Sequence, residues 1–573
     1  MNYSKCHKFY SFLFLLVLAV TFGFNFGFSN QNTYYAQALK LINPDLFASD
    51  WFVNQSIHYH DNFSTLVVMI DKLGFSLDWS SAILDLLLRI ASLFFIYRLI
   101  RDVSPRYVNH IFLLLVIFIF IERTNSVGGS YIYSSYLQPS SLGSFFTIVG
   151  MYYFVGGRYL SSGFYFAIGG FYHTNYLLVA FVFLGIAHLF IDGGQNFVKR
   201  YIYQFTPMFI VFLFKLPFLI GMIDSPYAGK SSEIFLFIRS PHHYVPSYYS
   251  VDFYKFFAWG YIGLSGLFFL GSTSSKMATI SDYSNFKRLV CLYFGMSTTL
   301  VFSFVFTVVW FNDFFAKLFL WRIAPFWEMT SLLIFSFVIF ESFFSPAEDD
   351  IALSFRKKML VICFFLLGCF LYLKNVSYFF GLMSFQFFVF LIFVILFSFM
   401  IYCLIFDFSK SRVIGFGLVY ALLFFVAILS SVNVFIKDID NEQKYSLKPF
   451  PSHEKELYEW ALSTPKDSLF LTPPNMQNFR LWSRRSIVVD WKSTPVDPEG
   501  LVEWYNRIES VSGIEGVKNL RSAMRGYNSI DMSRVAYLKE KYDLNYVVVE
   551  RSGSNIQLPI VFENERYTVY SMN

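Results

Sequence analysis

Runs of 15 to 27 apolar residues recur near positions 9–28, 80–100, 108–122, 141–157, 175–191, 201–223, 254–271, 289–311, 323–344, 359–373, 380–406 and 413–436. A helix of about 20 apolar residues spans a bilayer, and no soluble core could hide twelve of them. Phe alone supplies 76 of the 573 residues, and 55% of the chain is hydrophobic. The sequence therefore reads as an α-helical polytopic membrane protein. The formal charge of +6 is spread over short loops, which gives nucleic-acid binding no support. Cys6, Cys291, Cys363, Cys369 and Cys403 form neither a disulfide framework nor a CxxC knuckle.

Basic residues set the orientation, because short cytoplasmic loops are enriched in Lys and Arg. Lys5/Lys8, Arg98/Arg101/Arg106, Arg158, Lys199/Arg200, Lys276/Lys287/Arg288, Arg356/Lys357/Lys358 and Lys410/Arg412 mark cytoplasmic ends. They share one side when the short run 163–172 and the run 175–191 form a broken pair around His173. A ten-residue piece is too short to span alone and must be buried in protein or line a cavity. This gives about 13 spans, a cytoplasmic N-terminus with an uncleaved first helix, and an extracytoplasmic C-terminus. A single span over 163–191 would instead put SPHHYVPSYYS in the cytoplasm. In the broken-pair arrangement the module 1–436 carries two external loops, 29–79 and 224–253.

The first loop is long for a connector and rich in acid/base groups: Asp45, Asp50, His58, His60 and Asp61. Long loops in compact proteins are more often functional than idle. Asp50, in ASDWF after a helix expected over 33–42, reads either as a carboxylate that activates an acceptor or binds a cation, or as a solvated loop acid. The alternation His58-Tyr-His60-Asp61 would put two imidazoles on one side of an extended strand. Without fixed partners this is a weak metal signal, so the cofactor stays open, with a divalent cation as the alternative.

Glu122 and Arg123 close the third span, as a mutual pair or with Glu122 facing Asp50. His173 sits where a half-helix needs polar partners. Arg322, in FLWRIAPFW, can grip a lipid phosphate with its planar fork or lie at the interface. In RSPHHYVPSYY, His242 and His243 suit sugar rings and phosphates better than a simple aromatic belt would.

From Lys437 the composition turns polar. PSHEKELYEWAL, PEGLVEWYNRIESV and DMSRVAYLKEKYD read as helices, and SLFLT, SIVVD and LNYVVVE as strands. LPIVFENERYTVYSM reads as a hairpin turning at Glu-Asn-Glu. Residues 437–573 are thus expected to form a small extracytoplasmic α/β domain. Arg484, Arg485, Asp490, Lys492, Glu503 and Arg507 gather around one strand and the following helix. Most such sets are surface ion pairs, but Asp490 and Lys492, at a strand end, could cover a membrane pocket.

Together these features resemble the GT-C superfamily of membrane glycosyltransferases. The likeness rests on the acidic first loop with Asp50, Glu122 after the third span, the broken helix at His173, Arg322 late in the membrane module, and an external α/β domain. RSPHHYVPSYY and VVDWKSTP…LVEWYNRI look like segments of an uncharacterised bacterial branch of that superfamily. The resemblance implies a polyprenyl-phosphate or polyprenyl-diphosphate sugar donor, an envelope or glycan acceptor, and a bacterial plasma (inner) membrane location among membrane lipids. It gives Asp50 the base role beside Glu122, with His58, His60, His173, His242, His243 and Arg322 as substrate-binding residues. VVDWKSTP replaces the WWDYG signature of oligosaccharyltransferases, and the first loop lacks the adjacent acidic pair of protein mannosyltransferases. A non-enzymatic lipid or polysaccharide transporter, or an envelope assembly factor, is the competing class. It should show intramembrane charge relays and repeated halves.

Overall fold

The computed structural model describes residues 19–20, 22–55, 60–121, 126–191, 196–245, 260, 263–264, 283–344, 446–447, 450–551 and 556–572. The runs at 254–271, 359–373, 380–406 and 413–436, which the expected count of about 13 spans needs, lie almost wholly outside these residues, as do Glu122 and His58. The molecule is mostly helical. Phe197–Ile223, Ser284–Val309 and Asp313–Val338 are long and apolar enough to cross a membrane, and Thr174–Phe190 is a shorter apolar helix.

The helix break expected at His173 is present. Tyr159–Tyr172 and Thr174–Phe190 meet there, and His173 is extended at φ −145°, ψ 97°. The first half is longer than the run 163–172, because Tyr159 to Ser162 continue the helix from its N-cap at Arg158. Gly163 lets this helix press against the backbone of Gln204 in Phe197–Ile223, where any Cβ would collide with the Gln204 carbonyl. Helix Leu77–Val103 buries a charge pair that its apolar pattern conceals. Arg89 Nε lies 3.1 Å from Asp85 Oδ2, and Arg89 Nη1 donates to the carbonyls of Ala19 and Gly23, both at 2.8 Å. Charges at membrane depth persist when they are paired in this way.

In the first loop, helix Gln31–Ile42 ends at Asn43 as Asn43-Pro44 requires. His60 itself is not extended, at φ −106°, ψ 30°. His60 caps helix Asp61–Lys72, where Asp61 in the first turn complements the helix dipole and an amphipathic pattern buries Phe63, Ser64 and Val67.

The C-terminal part builds a five-stranded sheet in the order β2-β1-β3-β5-β4, with β1 Leu469–Leu471, β2 Ser486–Ile487, β3 Tyr546–Glu550, β4 Ile560–Glu563 and β5 Tyr567–Ser571. β1 is parallel to β2 and β3, pairing Phe470 with Ile487 and with Tyr546. β3 and β5 are antiparallel, with Val548 opposite Val569. Two expectations shift. The strand over 486–490 stops at Ile487, because Asp490 turns the chain. The hairpin turns at Asn564–Arg566, where Asn564 Oδ1 accepts from the backbone N–H of Arg566 and Tyr567. Helices Ser452–Leu462, Pro498–Ser512 and Met532–Tyr542 match the reading, with Asp497 and Asp531 as N-caps of the latter two. Phe479–Ser483 and Leu520–Asn528 are further helices that the sequence pattern did not announce.

The first loop, the segment after Ile223 and the C-terminal domain share apolar cores. Leu481 and Trp482 pack with Phe26, Tyr35, Phe47 and Phe52. Ile234, Phe235 and Ile238 pack with Val488, Val489 and Trp504. The three segments expected on one side of the membrane are thus physically one layer.

Candidate functional site

A cavity of about 180 Å³ lies where that layer meets the helical module. Helix Gln31–Ile42 contributes Thr33, Tyr34 and Gln37, and the N-cap of helix Asp61–Lys72 contributes His60. His173 enters from the helix break and Arg322 from the turn Leu320–Ile323. Arg239, Ser240, His242, His243 and Tyr244 come from the segment 224–245, and Lys492, Thr494, Pro495 and Val496 from the C-terminal domain. Five sequence-derived candidates, His60, His173, His242, His243 and Arg322, therefore share one wall system.

Each imidazole is fixed by local structure. Tyr172 ends its helix, so its carbonyl is open to a partner, and His60 Nδ1 donates to it at 3.1 Å. His243 Nδ1 donates to the Gly128 carbonyl at 2.7 Å. A carbonyl only accepts, so both neutral rings carry their proton on Nδ1 and keep Nε2 as the acceptor nitrogen. Gly128 and Gly129 make this possible. Both have left-handed φ (+74° and +63°), and a Cβ at Gly129 would press on the His243 ring. The rings of His60 and His173 lie 4.8 Å apart and those of His242 and His243 4.0 Å apart. Burial pushes His60 down to about 3, with Lys215 and Arg322 adding to the effect. Burial, then Arg239 and Lys492, brings His242 to about 4. His243 is also held well below its ordinary value by burial, His242 and Arg322.

Three cations complete the lining. Arg322 lies 4.5 Å over the Phe319 ring and 5.6 Å from that of Tyr176. Its Nε faces Asn175 Oδ1 at 3.4 Å, and Asn175 in turn donates to the Leu318 carbonyl at 2.6 Å. The helix break thus positions Arg322. Arg239 Nη2 donates to the Lys492 backbone carbonyl at 2.9 Å, and both residues line the cavity. Burial, reinforced by Arg239 and opposed by Asp490, brings the Lys492 ammonium down to about 8. Among the described residues no Asp or Glu lines the cavity, and no carboxylate ion-pairs with Arg239, Arg322 or Lys492. Also among the described residues, no three His, Cys, Asp or Glu side chains approach a metal-holding arrangement.

Asp50 is elsewhere. It is fully buried and does not line the cavity. Its Oδ2 accepts from Arg480 Nε at 2.8 Å and from the Ile487 N–H at 3.0 Å, and its Oδ1 accepts from the Val53 N–H at 3.1 Å. Arg480 also donates to Asp490 Oδ2 at 2.6 Å. Burial pulls Arg480 down, but Asp50 and Asp490 outweigh it and hold the guanidinium above its ordinary value. The expected general base is thus one arm of a buried carboxylate–guanidinium–carboxylate triad, with both oxygens occupied. Asp490 Oδ1 accepts from the N–H groups of Lys492 at 2.7 Å and Ser493 at 2.6 Å, so the triad also fixes the strap carrying Lys492.

Arg480 and the place of Arg239 in the cavity wall escaped the sequence reading. Arg239 opens the RSPHHYV run, so its neighbours were a usable signal. Arg480 had none.

The crystal structure of ArnT from Cupriavidus metallidurans bound to undecaprenyl phosphate matches 100% of this chain and 98% of its own, with a TM-score of 0.50 and 10% identity. The chain has the fold of ArnT. ArnT is a GT-C glycosyltransferase, so the expected fold is observed in its coarse outline, a mostly helical module with a small C-terminal sheet domain, while the count of about 13 spans is not part of that agreement. A family model described as a domain of unknown function (DUF6798) matches residues 452–511, from helix Ser452–Leu462 to helix Pro498–Ser512. No curated protein matches the sequence.

Proposed function

We propose that the chain is an integral-membrane glycosyltransferase that takes a sugar from a polyprenyl-phosphate-linked donor and passes it to an envelope or glycan acceptor. The observation that carries this reading is a cavity whose described lining holds the cations Arg239, Arg322 and Lys492 and no carboxylate. Unpaired cations partly removed from water call for an anion, and a cavity bordering the helical module suits one carried on a lipid. The ArnT-like fold supports the same class of chemistry.

In this reading Arg322 binds the donor phosphate through its fork while the ring of Phe319 holds the guanidinium plane. As the acceptor attacks the anomeric carbon, the C–O bond to phosphate breaks and negative charge grows on the leaving oxygen. Fixed cations aimed at that oxygen supply much of the rate enhancement. Attack opposite the leaving phosphate inverts the anomeric centre. Asp50, with both oxygens engaged, supports the site from behind. The base role passes in this proposal to Glu122, the acid that ends the third apolar run.

The test is sugar transfer from undecaprenyl-phosphate-linked sugars by the purified full chain in nanodiscs, with carrier binding measured separately. Arg322→Lys should weaken carrier binding about tenfold, because an ammonium cannot reproduce the fork. Glu122→Gln should cut turnover about 10²–10⁴-fold with binding intact. A wild type that neither binds nor consumes any polyprenyl-linked sugar across a broad donor panel would refute the proposal.

A further inference from the structure

The cations of the cavity fall into two groups held by different parts of the chain. Arg322 is anchored by the helix break, through Asn175 and the Phe319 ring. Arg239 and Lys492 form the second group, from the segment 224–245 and the C-terminal strap, joined by the bond from Arg239 Nη2 to the Lys492 carbonyl. Arg239 Nε is buried without a hydrogen-bond partner among the described residues. The Lys492 ammonium has no acceptor there either, since the bonds of this residue run from its backbone N–H and to its carbonyl. The nearest acid, Asp490, spends one oxygen on Arg480 and the other on the N–H groups of Lys492 and Ser493.

Charge counting then becomes decisive. A sugar linked to a lipid through one phosphate is a phosphodiester with a single negative charge, whereas the described lining of the cavity presents three cations and no carboxylate, and even with the proposed base Glu122 added one positive charge stays unmatched. One phosphodiester at Arg322 would leave two adjacent like charges, Arg239 and Lys492, uncompensated in a partly desolvated space. That arrangement is costly unless a second anion lies between them. Polar neighbours for such an anion are in place, in Ser240, His242 and Thr494.

We infer that Arg239 and Lys492 form a second anion subsite, so that the cavity accommodates two anionic groups. This inference rests on the proposed donor chemistry only for the occupant of Arg322. The second group is a phosphate-like anion. It comes either from the donor, as the second phosphate of a diphosphate carrier, or from an acidic group on the acceptor.

The experiment uses the full chain in nanodiscs and the variants Arg239→Gln and Lys492→Gln, which keep a polar stem and remove the charge. Lys492→Arg serves as the charge-retaining control, and equal unfolding midpoints certify folding. Undecaprenyl phosphate, undecaprenyl diphosphate, inorganic phosphate and pyrophosphate are the probes. Undecaprenyl diphosphate binding about tenfold tighter than the monophosphate, with that advantage lost in both Gln variants, places the second anion on the donor. Inorganic phosphate binding to protein already saturated with undecaprenyl phosphate, and lost in the same variants, places it on the acceptor. In both cases the Gln variants should lose less affinity for the monophosphate, whose anchor is Arg322, than for the diphosphate or the added phosphate. If the wild type binds neither carrier but holds pyrophosphate in a way the Gln variants lose, the donor reading falls and the subsite stands. If neither variant changes the binding of any probe, the subsite is refuted.

Discussion

Arg480 Nε donates to Asp50 Oδ2 at 2.8 Å across 430 residues of sequence. Both side chains are almost completely shielded from solvent, and Arg480 is shared with Asp490. The bond ties the first loop to the domain that supplies Lys492 to the cavity.

Removing the guanidinium should therefore act on stability. Arg480→Met leaves two buried carboxylates facing each other and should cost about 3–5 kcal/mol. Asp50→Asn leaves Arg480 paired with Asp490 and should cost less, about 1–3 kcal/mol. Thermal unfolding of the purified protein reads both. An Asp50→Asn protein with a wild-type midpoint but a transfer rate down by orders of magnitude would return Asp50 to the base role.

Acid should destabilise the protein through His60. Its folded pKa, about 3, lies below the unfolded value of about 6.5. Below pH 6.5 the unfolded chain takes up a proton that the folded chain refuses. Stability from this group is thus complete above pH 6.5 and drains away as pH falls toward 3, by about 1.4 kcal/mol per unit. His60→Gln should flatten that slope in unfolding midpoints recorded from pH 7 to 4. An identical slope in the variant would refute the assignment.

Anion binding should weaken in mild base. The Lys492 ammonium, facing Arg239, His242 and the backbone-bound Asp490, is charged below about pH 8 and discharges above it. Relative to Lys492→Arg, wild-type affinity for undecaprenyl diphosphate should hold up to pH 8 and then fall by up to about tenfold per unit. Parallel profiles for the two proteins would mean that Lys492 does not contact the anion.

The glycine pair under His243 should tolerate no side chain. Gly128→Ala places a Cβ 2.9 Å from Trp321 Cβ in a left-handed conformation at φ +74°. The conformation alone costs roughly 1–2 kcal/mol, and the displaced carbonyl releases His243. Carrier binding should drop together with the midpoint. Gly74→Ala, equally left-handed at φ +78° but with open space around it, should lower the midpoint and leave binding unchanged.

The parts of the site that were legible in the sequence were those where polar residues interrupt an apolar pattern. His173 stands out because a histidine inside a hydrophobic run needs a reason, and Arg322 and His242-His243 are visible for the same cause. The sheet strands were legible from their β-branched runs, except where Asp490 ends β2 early to hold Arg480. What stayed hidden were pairings made only by the tertiary fold. Asp50 looks like an exposed loop acid until Arg480 arrives, and Asp85 and Arg89 are absorbed into an apolar helix because each neutralises the other. Lys492 was open to two readings, a surface ion pair or a cover for a membrane pocket, and only the fold brings it to the cavity wall.

The distance along the chain between Asp50 and Arg480 also has a consequence in time. Ribosomes add about 5–20 residues per second, so Arg480 is synthesised roughly 20–90 s after Asp50. For that interval the nascent first loop carries a carboxylate whose partner does not yet exist. The cavity can take shape only after the segment that carries Lys492 has been made.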